Sequence, residues 1–126
     1  MILDTSAVVT IIKNEPERAP FLAIMRDSPV LRMGTPTVLE LTMVLGSERL
    51  DRTLDLLHEG GVQFVDFTAQ HLLVAQHAHQ LYGRGSGSSA KLNFGDCMTY
   101  ALAKFTGEPL LFKGDDFTHT DITPAL

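Results

Sequence analysis

The chain opens with Met1-Ile2-Leu3-Asp4-Thr5-Ser6-Ala7-Val8-Val9, an apolar run broken by one carboxylate and two hydroxyl residues. This pattern predicts a short buried strand, a tight turn with Thr5 or Ser6 as helix N-cap, and then a buried helix. Open α/β sheets bind ligands at the carboxyl ends of their strands, which is where Asp4 would lie. A buried carboxylate is unfavourable unless it is paired, although capping the following turn is an alternative role for Asp4.

Composition limits the class of protein. A chain of 126 residues can bury a sizeable core, and we expect a single domain over residues 1–126. One cysteine, Cys97, excludes an internal disulfide framework and fits a reducing compartment such as the cytoplasm. We expect no signal peptide and no membrane span, because Asp4 interrupts the first apolar run and no run approaches ~20 residues. The net charge of −5 argues against a broad basic face for nucleic acid, but not against an acidic pocket that reaches phosphate through bound cations.

Strand and helix patterns alternate along the chain. Apolar runs predict strands at residues 1–3, 30–33, 62–67 and 108–112. Amphipathic patterns predict helices after Asp4 and at residues 17–27, 35–45, 48–58, 68–82 and 93–104. The alternation predicts a three-layer α/β/α sandwich with a mainly parallel central sheet.

Two of these helices carry specific side-chain expectations. Thr35 is predicted to be the N-cap of the third helix, with Pro36 at its first position. The buried residues of that helix are expected to be Val38, Leu41, Val44 and Leu45. The inward residues of the 68–82 helix are expected to be Leu72, Leu73, Ala75 and Leu81.

Further acidic residues follow strands or open helices. Glu40 lies near a helix start, where the helix dipole alone favours an acid. Asp96 stands three residues after the predicted N-cap Asn93, in the capping-box position, so it also has a structural role available. Asp115 and Asp116 follow the last strand, where adjacent acids often belong to a turn. Each acid alone therefore has an explanation unrelated to chemistry.

Together these acids predict a metal site. In a parallel sheet one edge can gather Asp4, Glu40, Asp96 and either Asp115 or Asp116. Like charges at close range raise one another's pKa values unless cations neutralise them. All-oxygen ligands suit Mg²⁺ or Mn²⁺, and the chain lacks the Cys/His spacing of structural zinc. Such a site activates water and holds a phosphate for in-line attack, so phosphodiester hydrolysis is the leading predicted chemistry.

Several segments resemble those of PIN domains, specifically the VapC-type toxins of bacterial toxin–antitoxin pairs. The resemblance covers essentially the whole chain and is carried by Met1–Ala7, Glu40, Leu92–Cys97, Pro109–Phe117 and Thr118–Ile122. It implies an endoribonuclease dependent on Mg²⁺ or Mn²⁺ that cleaves structured or single-stranded RNA such as tRNA. It also implies a small cognate antitoxin that holds the enzyme inactive, with homodimers joining larger complexes.

The resemblance further implies roles for individual residues. Asp4 and Asp96 would be the main metal ligands, and Glu40 would contact the metal or position the attacking water. The fourth acid falls in the Gly-Asp-Asp-Phe segment, where Asp116 is preferred to Asp115 because it directly precedes the phenylalanine.

Substrate and partner contacts are also expected. Thr5 or Ser6 would bind near the metal or phosphate through hydroxyl and backbone N–H groups. The glycine- and serine-rich segment Gly83–Lys91 is predicted to be a mobile loop that either closes on phosphate or is a plain connection. The expected phosphate contacts are Arg84, Lys91 and Lys113. The expected antitoxin surface is an apolar groove near Val9, Ile12, Phe21 and Met25.

Two other classes of protein remain open at this point. A phospho-acceptor receiver domain also gathers acids at strand ends, but it needs an acidic pair near the chain start and an acceptor at the end of a central strand. Here Asp4 has no acidic neighbour, and Asp96 is predicted to start a helix. The second alternative is a catalytically silent protein of the same fold that only sequesters antitoxin or RNA.

Overall fold

The structure, a computed structural model, describes all 126 residues and contains four strands and six helices. The strands are β1 (Ile2–Leu3), β2 (Leu31–Gly34), β3 (Val62–Val65) and β4 (Leu110–Leu111). The helices are α1 (Thr5–Ile12), α2 (Arg18–Asp27), α3 (Thr35–Leu45), α4 (Ser47–Glu59), α5 (Ala69–Tyr82) and α6 (Phe94–Thr106). A short 3-10 helix, Asp116–His119, follows β4. Each predicted strand and helix is present.

The four strands form one parallel sheet in the order β3-β2-β1-β4. Ile2 lies opposite Leu110 and Leu3 opposite Leu111, so β1 is central and is paired on both sides. Because all four strands run in the same direction, their carboxyl ends lie at one edge. Helices cover both faces, and the predicted three-layer α/β/α sandwich is confirmed. None of the helices has the length and apolar character that a membrane crossing needs.

The two residues of β1 connect the sheet to a different core on each face, as the alternation of side chains along a strand requires. Ile2 packs in a cluster with residues of α5 and α6, including Ala78 and Tyr100. Leu3 packs in a second cluster with residues of α1 and α3, including Ala7 and Leu41. The N-terminal strand is therefore buried on both faces, which fixes the position of the residue that follows it.

Strands β1 and β2 pass almost directly into helices. Asp4 alone separates β1 from α1, and β2 ends at Gly34, immediately before α3. Gly34 is the N-cap of α3 and Pro36 lies in its first turn, so the prediction of Thr35 as N-cap is wrong by one residue. Such short connections leave little freedom to the side chains at the carboxyl edge of the sheet.

Several residues predicted to be buried are exposed. They are Val44 (49% exposed), Leu72 (47%), Leu73 (67%) and Leu81 (48%). In α5 the buried residues are His71, Ala75 and Ala78, spaced at helical intervals. These smaller side chains face α6, and the leucines flank them. The prediction was wrong because it ranked positions by hydrophobicity, whereas the distance between packed helices depends on the size of the side chains at the contact.

An ion-pair cluster holds the opposite edge of the sheet. Met1 is buried, with 8% of its surface exposed. Its N-terminal ammonium donates hydrogen bonds to Glu108 Oε2 at 2.6 Å and to the Val30 carbonyl at 2.9 Å. Arg32 Nη1 contacts the other Glu108 oxygen at 2.5 Å. Desolvation alone would raise the Glu108 pKa, but the ammonium and the Arg32 guanidinium bring it below its ordinary value. Glu108 therefore ties the start of β1 to β2 and to the segment before β4.

We predict that Glu108→Gln lowers the free energy of unfolding by about 2–4 kcal/mol, because it leaves a buried ammonium without its partner. The loss should be present at pH 7 and should shrink as the pH falls below about 4.5, since the wild-type carboxylate is then protonated as well. Urea unfolding of both proteins at several pH values measures this. A difference that did not change with pH would contradict the assigned role of the charge.

Candidate active site

Four carboxylates surround one cavity of about 270 Å³ at the carboxyl edge of the sheet. They are Asp4, Glu40, Asp96 and Asp116, and they come from the end of β1, from α3, from the first turn of α6 and from the 3-10 helix. The structure thus brings together the four acids that the sequence singled out, although their roles stay a prediction.

Asp4 serves as the N-cap of α1. Its Oδ2 accepts hydrogen bonds from the Ser6 backbone N–H (3.0 Å) and from Ser6 Oγ (2.6 Å). The prediction of Thr5 or Ser6 as N-cap is therefore wrong, because the carboxylate one residue earlier already satisfies the free amide of Ser6. Only one carboxylate oxygen is used in this way. Capping and a place in the cavity are therefore compatible roles for Asp4.

Asp96 is held in the same manner at the start of α6. Asn93 Oδ1 accepts from the Asp96 N–H at 2.9 Å, and Asp96 Oδ2 accepts from the Asn93 N–H at 3.0 Å, which completes the predicted capping box. Desolvation, together with the negative charges of Asp4, Asp116 and Glu40, raises the pKa of Asp96 to about 6, against the opposing effect of the Asn93 hydrogen bond. The cavity therefore disfavours negative charge that no cation balances.

Glu40 reaches the cavity past a glycine. A methyl group at Gly95 would collide with Glu40 Oε2, so the position of the Glu40 carboxylate depends on the absence of a side chain at residue 95. Sequence reasoning quoted Gly95 within a motif but gave it no role. The available signal was a glycine inside a helix, which is unfavourable by roughly 1 kcal/mol relative to alanine and often marks a close approach.

Asp115 and Asp116 are separated by the structure. Asp116 lines the cavity, whereas Asp115 precedes the 3-10 helix and its carbonyl accepts from Thr118 Oγ1 at 2.6 Å. The hydroxyl of Thr5, which also borders the cavity, is occupied by a bond to the Thr37 carbonyl at 3.3 Å. Ser6 Oγ accepts from the Lys113 backbone N–H at 3.0 Å and so joins α1 to the loop after β4.

The three predicted phosphate contacts differ in their availability. Lys113 Nζ is paired with Glu15 at 2.6 Å and with Glu17 at 3.0 Å, and these bonds raise its pKa. Its ammonium therefore already has two acidic partners, although Lys113 also lines the acidic cavity, and its contact with phosphate stays a prediction. Arg84 and Lys91 are exposed and have no acidic partner.

Arg84 and Lys91 line a second cavity, of about 530 Å³, which reaches the acidic one through Asp116. The loop that carries them was predicted to be mobile, either closing on phosphate or serving as a plain connection. Within it, Ser86 Oγ donates to the Gly83 carbonyl at 2.6 Å and accepts from the Ser88 N–H at 3.2 Å. The serine hydroxyls replace missing backbone partners and make the loop compact.

The residues of the predicted antitoxin surface pack against one core cluster, and only Phe21 is fully buried. Phe21 is 4% exposed, and Val9, Ile12 and Met25 are half-buried against the same cluster. Cys97 is buried, and desolvation together with the Asp96 charge raises the pKa of its thiol, which disfavours the nucleophilic thiolate form.

The donor set of the acidic cavity fits a hard divalent cation. None of the four carboxylates forms an ion pair with a lysine, arginine or histidine. Lys113 also lines the cavity, but its ammonium pairs with Glu15 and Glu17. No three of these side chains are already arranged to hold one ion. Asp4 and Asp96, however, each keep one oxygen outside their capping bonds. Oxygen-only ligands of this charge suit Mg²⁺ and Mn²⁺.

Comparison with known proteins agrees with this geometry. The family described as PIN domain matches residues 1–122, so the chain belongs to the PIN-domain family. Ribonuclease VapC42 of Mycobacterium tuberculosis is 46% identical, with 99% of this chain and 98% of that protein covered. Within the PIN domains the chain thus groups with the VapC ribonucleases, which generally depend on a divalent metal ion.

Solved structures support the same fold. Mycobacterium tuberculosis VapC20, described as a sarcin-ricin loop cleaving toxin, has a TM-score of 0.73 at 13% identity over 97% of this chain and 95% of its own. VapBC2 from Rickettsia felis, bound to a DNA fragment from their promoter, has a TM-score of 0.75 at 16% identity over 98% and 94%. Family membership excludes the receiver-domain alternative, and Asp96 indeed lies in a helix.

We predict that Gly95→Ala greatly reduces RNA cleavage without destabilising the protein, because the added methyl group displaces only the end of the Glu40 side chain. The free energy of unfolding should stay equal or rise by up to about 1 kcal/mol, since alanine is the better helix former. Gly34→Ala is the matched control, because its methyl group meets neighbours no closer than 3.6 Å. Equal activity of the two variants would contradict the assigned role of Gly95.

We predict that Asp96→Asn raises the melting temperature of the metal-free protein at pH 7.5 by ~2–6 °C, because the variant avoids an ionised carboxylate in an acidic cavity. The melting temperatures of the two proteins should be equal below pH 4, where Asp96 is protonated. The melting temperature of wild type should then fall relative to that of the variant as the pH rises through about 6 and Asp96 ionises. Added Mg²⁺ or Mn²⁺ should stabilise wild type more than the variant. Differential scanning fluorimetry measures all three effects, and a less stable variant at pH 7.5 would contradict them.

Proposed function

We propose that this chain is an endoribonuclease that hydrolyses phosphodiester bonds of RNA, and that it is the toxin of a toxin–antitoxin pair. The observation that carries the proposal is the group of four unpaired carboxylates around one cavity at the carboxyl edge of the sheet. VapC42, to which the chain is 46% identical over nearly its full length, is a ribonuclease by name. Reaction with RNA and the single reduced cysteine fit the cytoplasm.

We propose that Asp4, Glu40, Asp96 and Asp116 hold Mg²⁺ or Mn²⁺. When bound, the ion would balance their charge, hold the scissile phosphate and promote ionisation of a water molecule. Capping bonds fix Asp4 and Asp96 in orientation, so these two are the main ligands of the proposal. Asp116 is preferred to Asp115 because it lines the cavity.

The remaining residues position water and substrate in this proposal. The Glu40 carboxylate can orient the attacking water and accept its proton. Ser6 and Thr5 support Asp4 and the wall of the cavity, and their backbone groups lie at the N-terminus of α1, where anions bind favourably. Arg84 and Lys91 contact phosphates on one side of the scissile bond, whereas Lys113 keeps the α1–α2 connection in place through its glutamate partners.

The proposal includes protein partners. A similar solved structure from Klebsiella pneumoniae is described as a toxin–antitoxin complex, and we propose a cognate antitoxin for this chain as well. We also propose a homodimer. Leu39, Met43 and Val44 form an exposed apolar face on α3, and Val44 borders the acidic cavity. A partner seated on that face would stand next to the catalytic acids, so binding and inhibition would be coupled.

We predict that the purified, antitoxin-free protein cleaves total RNA with Mg²⁺ or Mn²⁺, that excess EDTA stops cleavage, and that Asp96→Asn abolishes it while the fold is retained. Asp116→Asn should lower the rate by at least about 100-fold, and Asp115→Asn should be close to wild type. Gel analysis of the products, followed by sequencing of the new ends, measures both the activity and the cut site.

Three results would change this proposal. If folded Asp96→Asn still cleaved RNA, the assignment of these carboxylates as the active site would be wrong. Loss of activity in Asp115→Asn, with Asp116→Asn still active, would identify Asp115 and not Asp116 as the fourth acid of the site. No cleavage by folded wild type under either metal would favour the catalytically silent protein that only binds antitoxin or RNA.

A further inference from the structure

An apolar groove of about 940 Å³ lies between α5 and α6, beside the acidic cavity. Phe94, the first residue of α6, forms one wall and is 80% exposed, more than any other large hydrophobic side chain of the protein. We propose that this groove binds one unstacked nucleobase of the RNA next to the scissile phosphate, with Phe94 as the stacking surface. The proposal rests on the endoribonuclease function, and it adds a substrate subsite that the acidic cavity does not contain.

The groove is continuous with the candidate active site. Asn93 lines both the groove and the acidic cavity, and it is the residue that holds Asp96 through the capping box. Phe94 and Asp96 therefore stand on either side of the same helix start. A nucleotide with its phosphate at the carboxylates would need only to turn its base across Asn93 to enter the groove.

Charge restricts the direction from which RNA can approach. Four unpaired carboxylates repel a phosphate backbone, and Lys113 beside them is neutralised by two glutamates. The free cations near the cavity are Arg84 and Lys91. Arg84 also lines the apolar groove, so the backbone path that electrostatics favours runs along the mouth of the groove. A strand following these cations would present its bases to Phe94.

The lining of the groove suits a base better than an aliphatic side chain. An aromatic wall formed by Phe94 is combined with the polar side chains of Gln76, His79 and Gln80 along α5. Aromatic rings stack on bases of any identity, and amide or imidazole groups can bond to base edges. A base inside a duplex is stacked and paired and cannot enter such a groove. The geometry therefore points to a single-stranded or loop segment as the part of the RNA that is cut.

We designed the test around Phe94→Ala, with Phe94→Trp as the conservative variant and Leu73→Ala as the control. Leu73 is an equally accessible apolar residue of α5, 67% exposed, that does not line the groove. The substrate is a synthetic RNA spanning the site that wild type cuts, either intact or with the base removed at one nucleotide flanking the scissile bond. Because Phe94 is exposed, its truncation should leave the melting temperature nearly unchanged.

Phe94→Ala should lower kcat/KM on intact RNA by about 5- to 100-fold, the range expected for the loss of one stacked base. Removal of the base should cause a similar loss in wild type and little further loss in Phe94→Ala, because both changes remove the same contact. Phe94→Trp and Leu73→Ala should behave like wild type. If Phe94→Ala lowered kcat/KM by the same factor on intact RNA and on base-deleted RNA, the proposal would be overturned.

A binding measurement separates this proposal from the proposed activity. In the Asp96→Asn background, a single-stranded oligoadenylate carrying a fluorescent purine analogue should change its emission on binding, and added Phe94→Ala should abolish that change. If wild type cleaves RNA and Phe94→Ala alters neither readout, the base subsite is wrong while the nuclease stands. If Phe94→Ala instead weakens only self-association or antitoxin binding, the groove is a protein interface and the proposal is overturned. If the emission change depended on Phe94 but wild type did not cleave RNA, the base subsite would be supported and the proposed nuclease activity would be wrong.

Discussion

Crowding of four carboxylates at the edge of the sheet is the constraint on which the candidate site depends. Asp4, Glu40, Asp96 and Asp116 line one small cavity without an ion-pair partner, and desolvation, together with repulsion from the other three acids, raises the pKa of Asp96. A flexible chain would relieve such repulsion by moving the charges apart. Here the scaffold prevents this, because the acids are attached to separate elements that are fixed by the core. The crowded carboxylates would therefore be stabilised by the divalent cation proposed to bind them.

The two best-held acids show how a folding role and a chemical role can coincide. Asp4 caps α1 and Asp96 closes the capping box of α6, and each of these bonds uses one carboxylate oxygen. The bonds restrict the rotation of both side chains and leave the second oxygens outside the capping contacts. A side chain that already has a structural role loses little further freedom when it binds a ligand. A carboxylate that caps a helix can therefore also act as a ligand in the site.

The architecture could be predicted from the sequence because hydrophobic period and strand–helix alternation are local signals. The buried β1, the start of α6 at Phe94 after its N-cap Asn93, and the placement of the four acids at one edge of a parallel sheet could all be predicted in this way. The buried residues of the α5–α6 interface could not be predicted in this way, because the packing of α5 against α6 buries His71, Ala75 and Ala78 and leaves the leucines exposed. The position of a neighbouring element is information that a single sequence does not contain.

Two features of the site were beyond sequence reasoning for the same reason. The need for glycine at position 95 arises from Glu40, which lies 55 residues away in the chain and meets Gly95 only after α3 and α6 have packed. The neutralisation of Lys113 likewise depends on Glu15 and Glu17, which belong to the connection between α1 and α2.

The positions of the unpaired cationic side chains favour one direction of approach for RNA. With Lys113 already paired, positive charge remains on the side formed by Arg84 and Lys91, and RNA would meet repulsion from the carboxylates elsewhere. A net charge of −5 weakens non-specific attraction to phosphate as well. Affinity must then come from a few local contacts and from the metal ion, and not from a general basic surface. In such a protein a stacking contact beside the scissile bond contributes both affinity and orientation, because little else holds the strand in place.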